Sequence, residues 1–166
     1  MTGLLFSAAL AANIITCFAP EQNCAVLALN AIEAAQREIL VDAYALTTGS
    51  GIPGALIRAH ERGVAVSVVA DRRTACERRE GLTPLTSVGI PVWIDARARI
   101  AHEKALIIDR RVTIMGSYNF SAGAAWNSED LNIVTSPAVA EAYTAHWQAR
   151  MARAVRFNGR AEWCRR

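Results

Sequence analysis

A chain of 166 residues is long enough for one domain with a substantial core and too short for two comfortable ones. Hydrophobic residues make up 52% of it, which excludes disorder as the dominant state. The formal net charge of +3 is a mild cationic lean that suits an anionic substrate without identifying one, and Lys104 is the only lysine among the 18 basic residues.

Residues 1–12 form an apolar run ending in Ala8-Ala9-Leu10-Ala11-Ala12, the pattern of a signal-peptide core and cleavage region, although a positive leading segment is missing. Residues 1–16 are therefore expected to be a signal peptide or N-terminal extension, with periplasmic or secreted placement; the alternative is a first strand or helix of the folded domain. Cys17 and Cys24 flank a short loop containing Pro20. They can form a disulfide in an oxidising compartment or act as small buried hydrophobes. Cys76 and Cys164 have no evident partner. No C-x-x-C pair and no Cys/His cluster has zinc spacing, so no metal or other cofactor is expected.

Residues 23–38 carry Val26, Leu29, Ile32 and Ala35 at helical spacing, and 39–46 is rich in strand formers. A Gly-rich connection over 47–54 leads to a helix at 53–62, stopped by Gly63. Residues 64–70 are almost wholly apolar and β-branched, as in a strand covered on both faces. The segment 74–88 is weakly helical and broken by Gly81 and Pro84, and a short strand follows at 90–94. Strands at 104–109, 112–117 and 131–135 precede a closing amphipathic helix at 138–153. This alternation predicts an α/β sandwich with a mixed sheet flanked by helices. Parallel crossovers suit the first three of these strands, and a hairpin suits the pair around Arg110-Arg111. The domain is expected over 17–155, with 156–166 as a tail. After the N-terminal run no apolar stretch reaches the ~20 residues of a membrane span, so stable membrane insertion of the mature domain is not expected.

The informative stretch is His102-Glu103-Lys104-x4-Asp109, then Gly116-Ser117-x-Asn119, then Asn127-x-Glu129. On a strand, His102 and Lys104 share one face about 7 Å apart, and Ser117 and Asn119 likewise share a face. With Arg110-Arg111 as a two-residue turn, Asp109 would pair with Val112, Lys104 with Ser117 and His102 with Asn119, which gathers all four polar side chains within cross-strand reach. Such a cluster suits a phosphodiester. A neutral imidazole can attack phosphorus, Lys104 can neutralise a non-bridging oxygen, and Ser117 and Asn119 can donate to the others. Glu129 is a candidate to orient the His102 ring. Asp109 closes the motif and is counted with the catalytic set, but its parity sends it toward the turn, where a structural role is expected.

H-x-K-x4-D followed by G-S-x-N resembles the HKD motif of the phospholipase D superfamily. The likeness extends through Cys17-Phe18-x-Pro20-x3-Cys24, residues 39–47, Gly63-Val64, Gly89-Ile90-Pro91, Asn119-Phe120-Ser121 and Asn127-x-Glu129, covering roughly 17–150. These resemble the superfamily's small bacterial endonuclease branch. The resemblance implies a phospholipase D-like α/β fold and a metal-independent mechanism through a phosphohistidine. Two motifs build each site in that family, one histidine attacking and the other protonating the leaving oxygen. A chain with a single motif is therefore expected to act as a homodimer.

Nucleic acid, DNA or RNA, is the expected substrate, and a phospholipid the alternative at the same centre. A lipid enzyme should show an apolar rim or amphipathic segment near the site, and the sequence shows none clearly. A binding module without catalysis would not need the His102–Lys104–Ser117–Asn119 set, and a Ser117 hydrolase lacks the G-x-S-x-G elbow. His60 is read as a helix-end residue and His146 as packing on the last helix. Arg72, Arg73, Arg97 and Arg99 are either steering charges for a polyanion or solvated loop residues. Trp93, Trp126, Trp147 and Trp163 are core candidates, with Trp126 close enough to the motif to stack on a base.

Overall fold

The structure, a computed structural model, describes residues 12–159, 163 and 164. Its elements run β1 (Asn13–Ala19), α1 (Cys24–Ala34), β2 (Glu38–Ala43), α2 (Ile52–Glu61), β3 (Ala65–Asp71), α3 (Leu82–Ser87), β4 (Val92–Asp95), β5 (Lys104–Ile108), β6 (Val112–Gly116), β7 (Glu129–Thr135), α4 (Pro137–Met151) and β8 (Val155–Arg156), with short 3-10 turns between. Among the described residues eight strands form one sheet in the order β1-β7-β6-β5-β2-β3-β4-β8. The β2–β3 and β3–β4 pairs are parallel, as the crossover pattern requires, and the remaining pairs are antiparallel.

Strand alternation divides the apolar side chains between two faces. Ile39, Val41, Val66, Val68, Leu106 and Ile108 belong to the larger core, which also takes in Ile32 of α1 and Leu56 of α2. Leu40, Val69 and Ile107, each one residue out of phase with that set, pack on the other face with Ala140 and Trp147 of α4. The central strands are covered on both sides, which is why β2, β3 and β5 read as continuous apolar runs. Helix α4 opens on Pro137 after Ser136, whose side chain accepts from Val139 N at 3.4 Å. Its buried stripe is Ala140, Thr144, Trp147 and Arg150, so the inward face of this helix ends on a charge.

Four expectations are corrected. Residues 13–16 lie in β1, paired from Asn13↔Thr135 to Thr16↔Asn132, so the folded unit begins before Cys17; the leader expected earlier in the chain falls on residues 1–11, outside the described residues. The tail expected from 156 contributes Arg156 to β8, paired with Trp93. Cys76 is bonded to Cys164 across 88 positions, while Cys17 is bonded to Cys24. The β5–β6 hairpin pairs Ile108 with Val112, one residue away from the expected register. Its loop is Asp109-Arg110-Arg111, with φ of 53° at Asp109 and 54° at Arg110, a left-handed pair that no glycine or asparagine in the sequence announced.

Candidate active site

A one-residue slip should carry Ser117 and Asn119 to the wrong face of the sheet. It does not, because a second irregularity reverses it. Gly116 pairs with Leu131, yet the next bond to β7 runs from Tyr118 N to Asp130 O at 3.1 Å. Ser117 is therefore an extra residue, a β-bulge, and the parity of the chain beyond it is inverted. Only glycine fits the hinge. Its φ is 152°, and a Cβ there would stand 2.3 Å from Asp130 O. Beyond the bulge Ser117 and Asn119 line one open cavity of about 430 Å³ with His102, Lys104, Glu129 and Tyr143.

Each donor in this cavity is oriented. The Ser117 hydroxyl accepts from Asp130 N at 3.0 Å, which leaves its own proton free to donate outward. Ser117 N donates to Asp130 Oδ1 at 3.1 Å, locking the bulge. Asn119 lines the cavity, and the donor it could offer a phosphate is its Nδ2 amide; its Oδ1, an acceptor, is buried without a protein partner. Lys104 is only 7% exposed; its Nζ donates to His102 O at 2.5 Å and lies 4.8 Å from the centroid of the Tyr44 ring. Burial lowers the Lys104 ammonium from its ordinary value, against the opposing pull of the Glu129 and Glu103 carboxylates.

His102 is exposed and stands just before β5, whose ladder with β2 begins at the Ala43↔Lys104 pair. Its ring is flanked by that of Tyr44, centroid to centroid 4.4 Å and tilted by 57°. Glu129 lines the same cavity, but its carboxylate accepts from Asn127 Nδ2 at 3.1 Å and makes no described hydrogen bond to His102. Tyr44 makes the described ring contact with His102, and Glu129 lines the same cavity as a carboxylate whose charge opposes the lowering of the Lys104 pKa.

Asp109 is not in this cavity. Its carboxylate accepts from Arg37 N at 2.7 Å and from Gln36 N and Glu38 N at 3.0 Å, tying the hairpin loop to the start of β2 at the far end of the sheet. Burial raises its pKa, but the three amide donors outweigh it and hold the carboxyl below its ordinary value. Its place in the catalytic set is corrected to the structural role that its parity suggested.

Glu103 also lines the cavity and joins it to a charge cluster centred on a buried arginine. Arg150 of α4, with its side chain 3% exposed, donates through Nη1 to Asp42 Oδ1 at 2.6 Å and Glu103 Oε2 at 2.9 Å, and through Nε to Asp95 Oδ2 at 3.0 Å. Burial pushes the Asp42 carboxyl up to about 6, with the Arg150 guanidinium opposing that rise. Among the described residues no group of three or more His, Cys, Asp or Glu side chains is arranged to hold a metal ion.

Comparison with known proteins agrees with this geometry. A family model described as "Cardiolipin synthase, PLD-like domain" matches residues 28–151. The chain belongs to the phospholipase D superfamily. It is 37% identical over 144 residues to a phospholipase D of Rickettsia felis, covering 86% of this chain and 72% of that protein. It is 27% identical over 115 residues to a mitochondrial cardiolipin hydrolase of Xenopus tropicalis, covering 69% of this chain and 54% of that protein. Among solved structures, Nuc from Salmonella typhimurium, a phospholipase D family member, superposes with a TM-score of 0.82 at 32% identity, over 89% of this chain and 99% of Nuc. The chain is accordingly a phosphodiester hydrolase of this superfamily.

Other expected residues fall variously within this phospholipase D-like fold. His60 is half-buried near the end of α2. His146 does not pack inward; it is exposed, its Nε2 3.3 Å from Glu103 Oε1. Arg72 and Arg73 line a second cavity with Cys76, Glu77 and Trp163, and Arg73 Nη1 donates to Tyr44 Oη at 3.4 Å. Trp93 and Trp147 meet edge to face at 6.1 Å, and Trp126 is 83% exposed. Tyr44 was missed, although its position just past a strand of the parallel set, where α/β sheets place ligands, was a usable signal.

Proposed function

We propose that this protein is a metal-independent nuclease, cleaving DNA or RNA through a phosphohistidine on His102 in a homodimer. One observation carries the reading. Of the three histidines, all among the described residues, only His102 lines a cavity that also presents Lys104, Ser117 and Asn119. His102 would serve as nucleophile and Lys104, Ser117 and Asn119 as a phosphate cradle, and no second imidazole lines this cavity to serve as acid. A twofold-related copy would supply it.

In the reaction, an imidazole nitrogen of His102 attacks phosphorus and the bond to the leaving oxygen breaks. The imidazolium of the partner subunit's His102 gives that oxygen its proton. The now neutral partner imidazole takes a proton from water, whose oxygen attacks phosphorus and displaces His102. The products are an alcohol and a phosphate monoester. Lys104, Ser117 and Asn119 would hold the non-bridging oxygens, where each well-placed donor contributes a few kcal/mol (order of magnitude ~3) to the transition state. Arg72 and Arg73 beside Tyr44, and the exposed Trp126, suit a polyanion with stacked bases. The two disulfides support an oxidising compartment, hence export.

A phospholipid substrate is the second reading. Phe18 in β1 and Trp126, 58% and 83% exposed, are apolar side chains that a lipid surface could cover. Plasmid DNA, single-stranded RNA and phosphatidylcholine or cardiolipin vesicles, assayed in parallel in excess EDTA with His102→Ala as control, separate the two. Nucleic-acid cleavage that persists in EDTA and vanishes in the variant is expected; turnover of vesicles alone would replace this reading with the second. A fully active monomer by light scattering would remove the shared site.

A further inference from the structure

His102 lies outside the sheet, so something other than ladder hydrogen bonds must fix it. Residues 101–103 have no regular secondary structure. Lys104 Nζ donates to His102 O itself, and two further anchors flank it. On one side of His102, Ala101 N donates to Asp71 Oδ2 at 2.7 Å. On the other, Glu103 is held twice: its carbonyl accepts from Tyr44 N at 2.9 Å, and its carboxylate reaches Arg150 at 2.9 Å and His146 at 3.3 Å. The Glu103 carboxylate thus reaches Arg150 and His146 of α4, while Glu103 also lines the cavity that it shares with His102 and Lys104.

Arg150 is a fixed post for this purpose. Its guanidinium is shared by Asp42 at the end of β2, Asp95 at the end of β4 and Glu103, and the sheet and α4 bury it almost wholly. A planar fork satisfied on several sides has little freedom to follow a moving partner. Glu103 is different: its side chain is 41% exposed, so a solvent-accessible carboxylate reaches inward to a buried cation. Asp42 and Asp95 already partner Arg150, so the fold does not need Glu103 to neutralise it. What Glu103 adds is a tether between the helix and the residue next to the nucleophile.

We propose that Glu103 is a positioning residue. Through Arg150 it pins the 101–103 segment so that the His102 ring stays against Tyr44 and aimed into the cavity. Misplacement of a reacting group by about 1 Å can cost about a hundredfold in rate, so a tether one residue from the nucleophile acts on turnover rather than on binding. The inference rests on His102 being the nucleophile.

Steady-state kinetics on bis(4-nitrophenyl) phosphate, a soluble phosphodiester, test it with Glu103→Ala, Glu103→Gln and His102→Ala, each also followed by thermal melting. Glu103→Ala is expected to lower kcat by about 10- to 100-fold with KM within about threefold and a melting temperature within about 5 °C of the parent. Glu103→Gln keeps an acceptor for Arg150 and should recover part of that loss. Glu103→Ala with kcat within twofold of the parent, while His102→Ala is inactive, overturns the positioning role and leaves the nucleophile standing. Activity in His102→Ala removes the nucleophile and this inference with it. A loss in Glu103→Ala that tracks melting, with Glu103→Gln no better, assigns Glu103 to the fold alone and likewise overturns the proposal.

Discussion

His102, Lys104, Asp109, Ser117 and Asn119 lie along one hairpin and its flanks, and the two ends differ. At the loop end Asp109 is saturated: both carboxylate oxygens accept amide protons, from residues 36, 37 and 38. At the open end the polar groups are less committed: the Ser117 hydroxyl accepts from Asp130 N and keeps a proton to donate, Asn119 lines the cavity, and His102 is exposed. Residues separated by a single strand therefore divide into one bound within the fold and others that line an open cavity. Satisfaction of hydrogen bonds, not membership of a motif, draws the line.

The sharpest way to break that division is to exchange the effects. His102→Ala should cost at least about 10⁴-fold in kcat while leaving the melting temperature at or above that of the parent, because nothing in the fold depends on the ring. Gly116→Ala should come next. Its Cβ would collide with Asp130 O, so the bulge must shift, and activity should fall about a hundredfold or more together with a loss of stability visible in urea melts. Ser117→Ala should lower kcat by about 100-fold, since it removes one donor to the phosphate.

Asp109→Asn belongs to the other end and should show the reverse pattern. It should lose about 1–3 kcal/mol of stability at pH 7, with kcat per folded molecule within about twofold of the parent. The pH dependence has a definite sign. The folded carboxyl titrates below its unfolded value, so its contribution is full above about pH 4 and disappears as pH falls through the folded pKa. The parent and Asp109→Asn should therefore converge in stability under acid and diverge toward neutrality. A constant gap from pH 3 to pH 7 in denaturant titrations would contradict the structural role.

The contrast between the two ends also explains what could be read from the sequence. The helices and central strands follow apolar periodicity and appear where that periodicity puts them, within a few residues. The gathering of His102, Lys104, Ser117 and Asn119 around one cavity was legible because a strand makes alternate residues neighbours. Its placement nevertheless arises by a different route from the expected one: a left-handed loop at Asp109-Arg110 slips the register, and the bulge after Gly116 restores the parity. Neither shift has a local signature strong enough to override the usual turn rules. Contacts between distant positions were out of reach. Arg150 meets Asp42 across 108 positions and Glu103 across 47, and as a charge at the end of a helix it reads as solvated. Strand β1 was hidden because its exposed Ile14 and Ile15 continue an apolar run that looks like a leader.

Everything at the open end depends on His102 forming a bond to phosphorus. Rapid quench of the protein with a ³²P-labelled phosphodiester in alkaline detergent, followed by peptide mapping at alkaline pH, should recover base-stable, acid-labile label on the peptide carrying His102, and none in His102→Ala. Label on Ser117 instead, or turnover with no label on protein at any quench time, would contradict it.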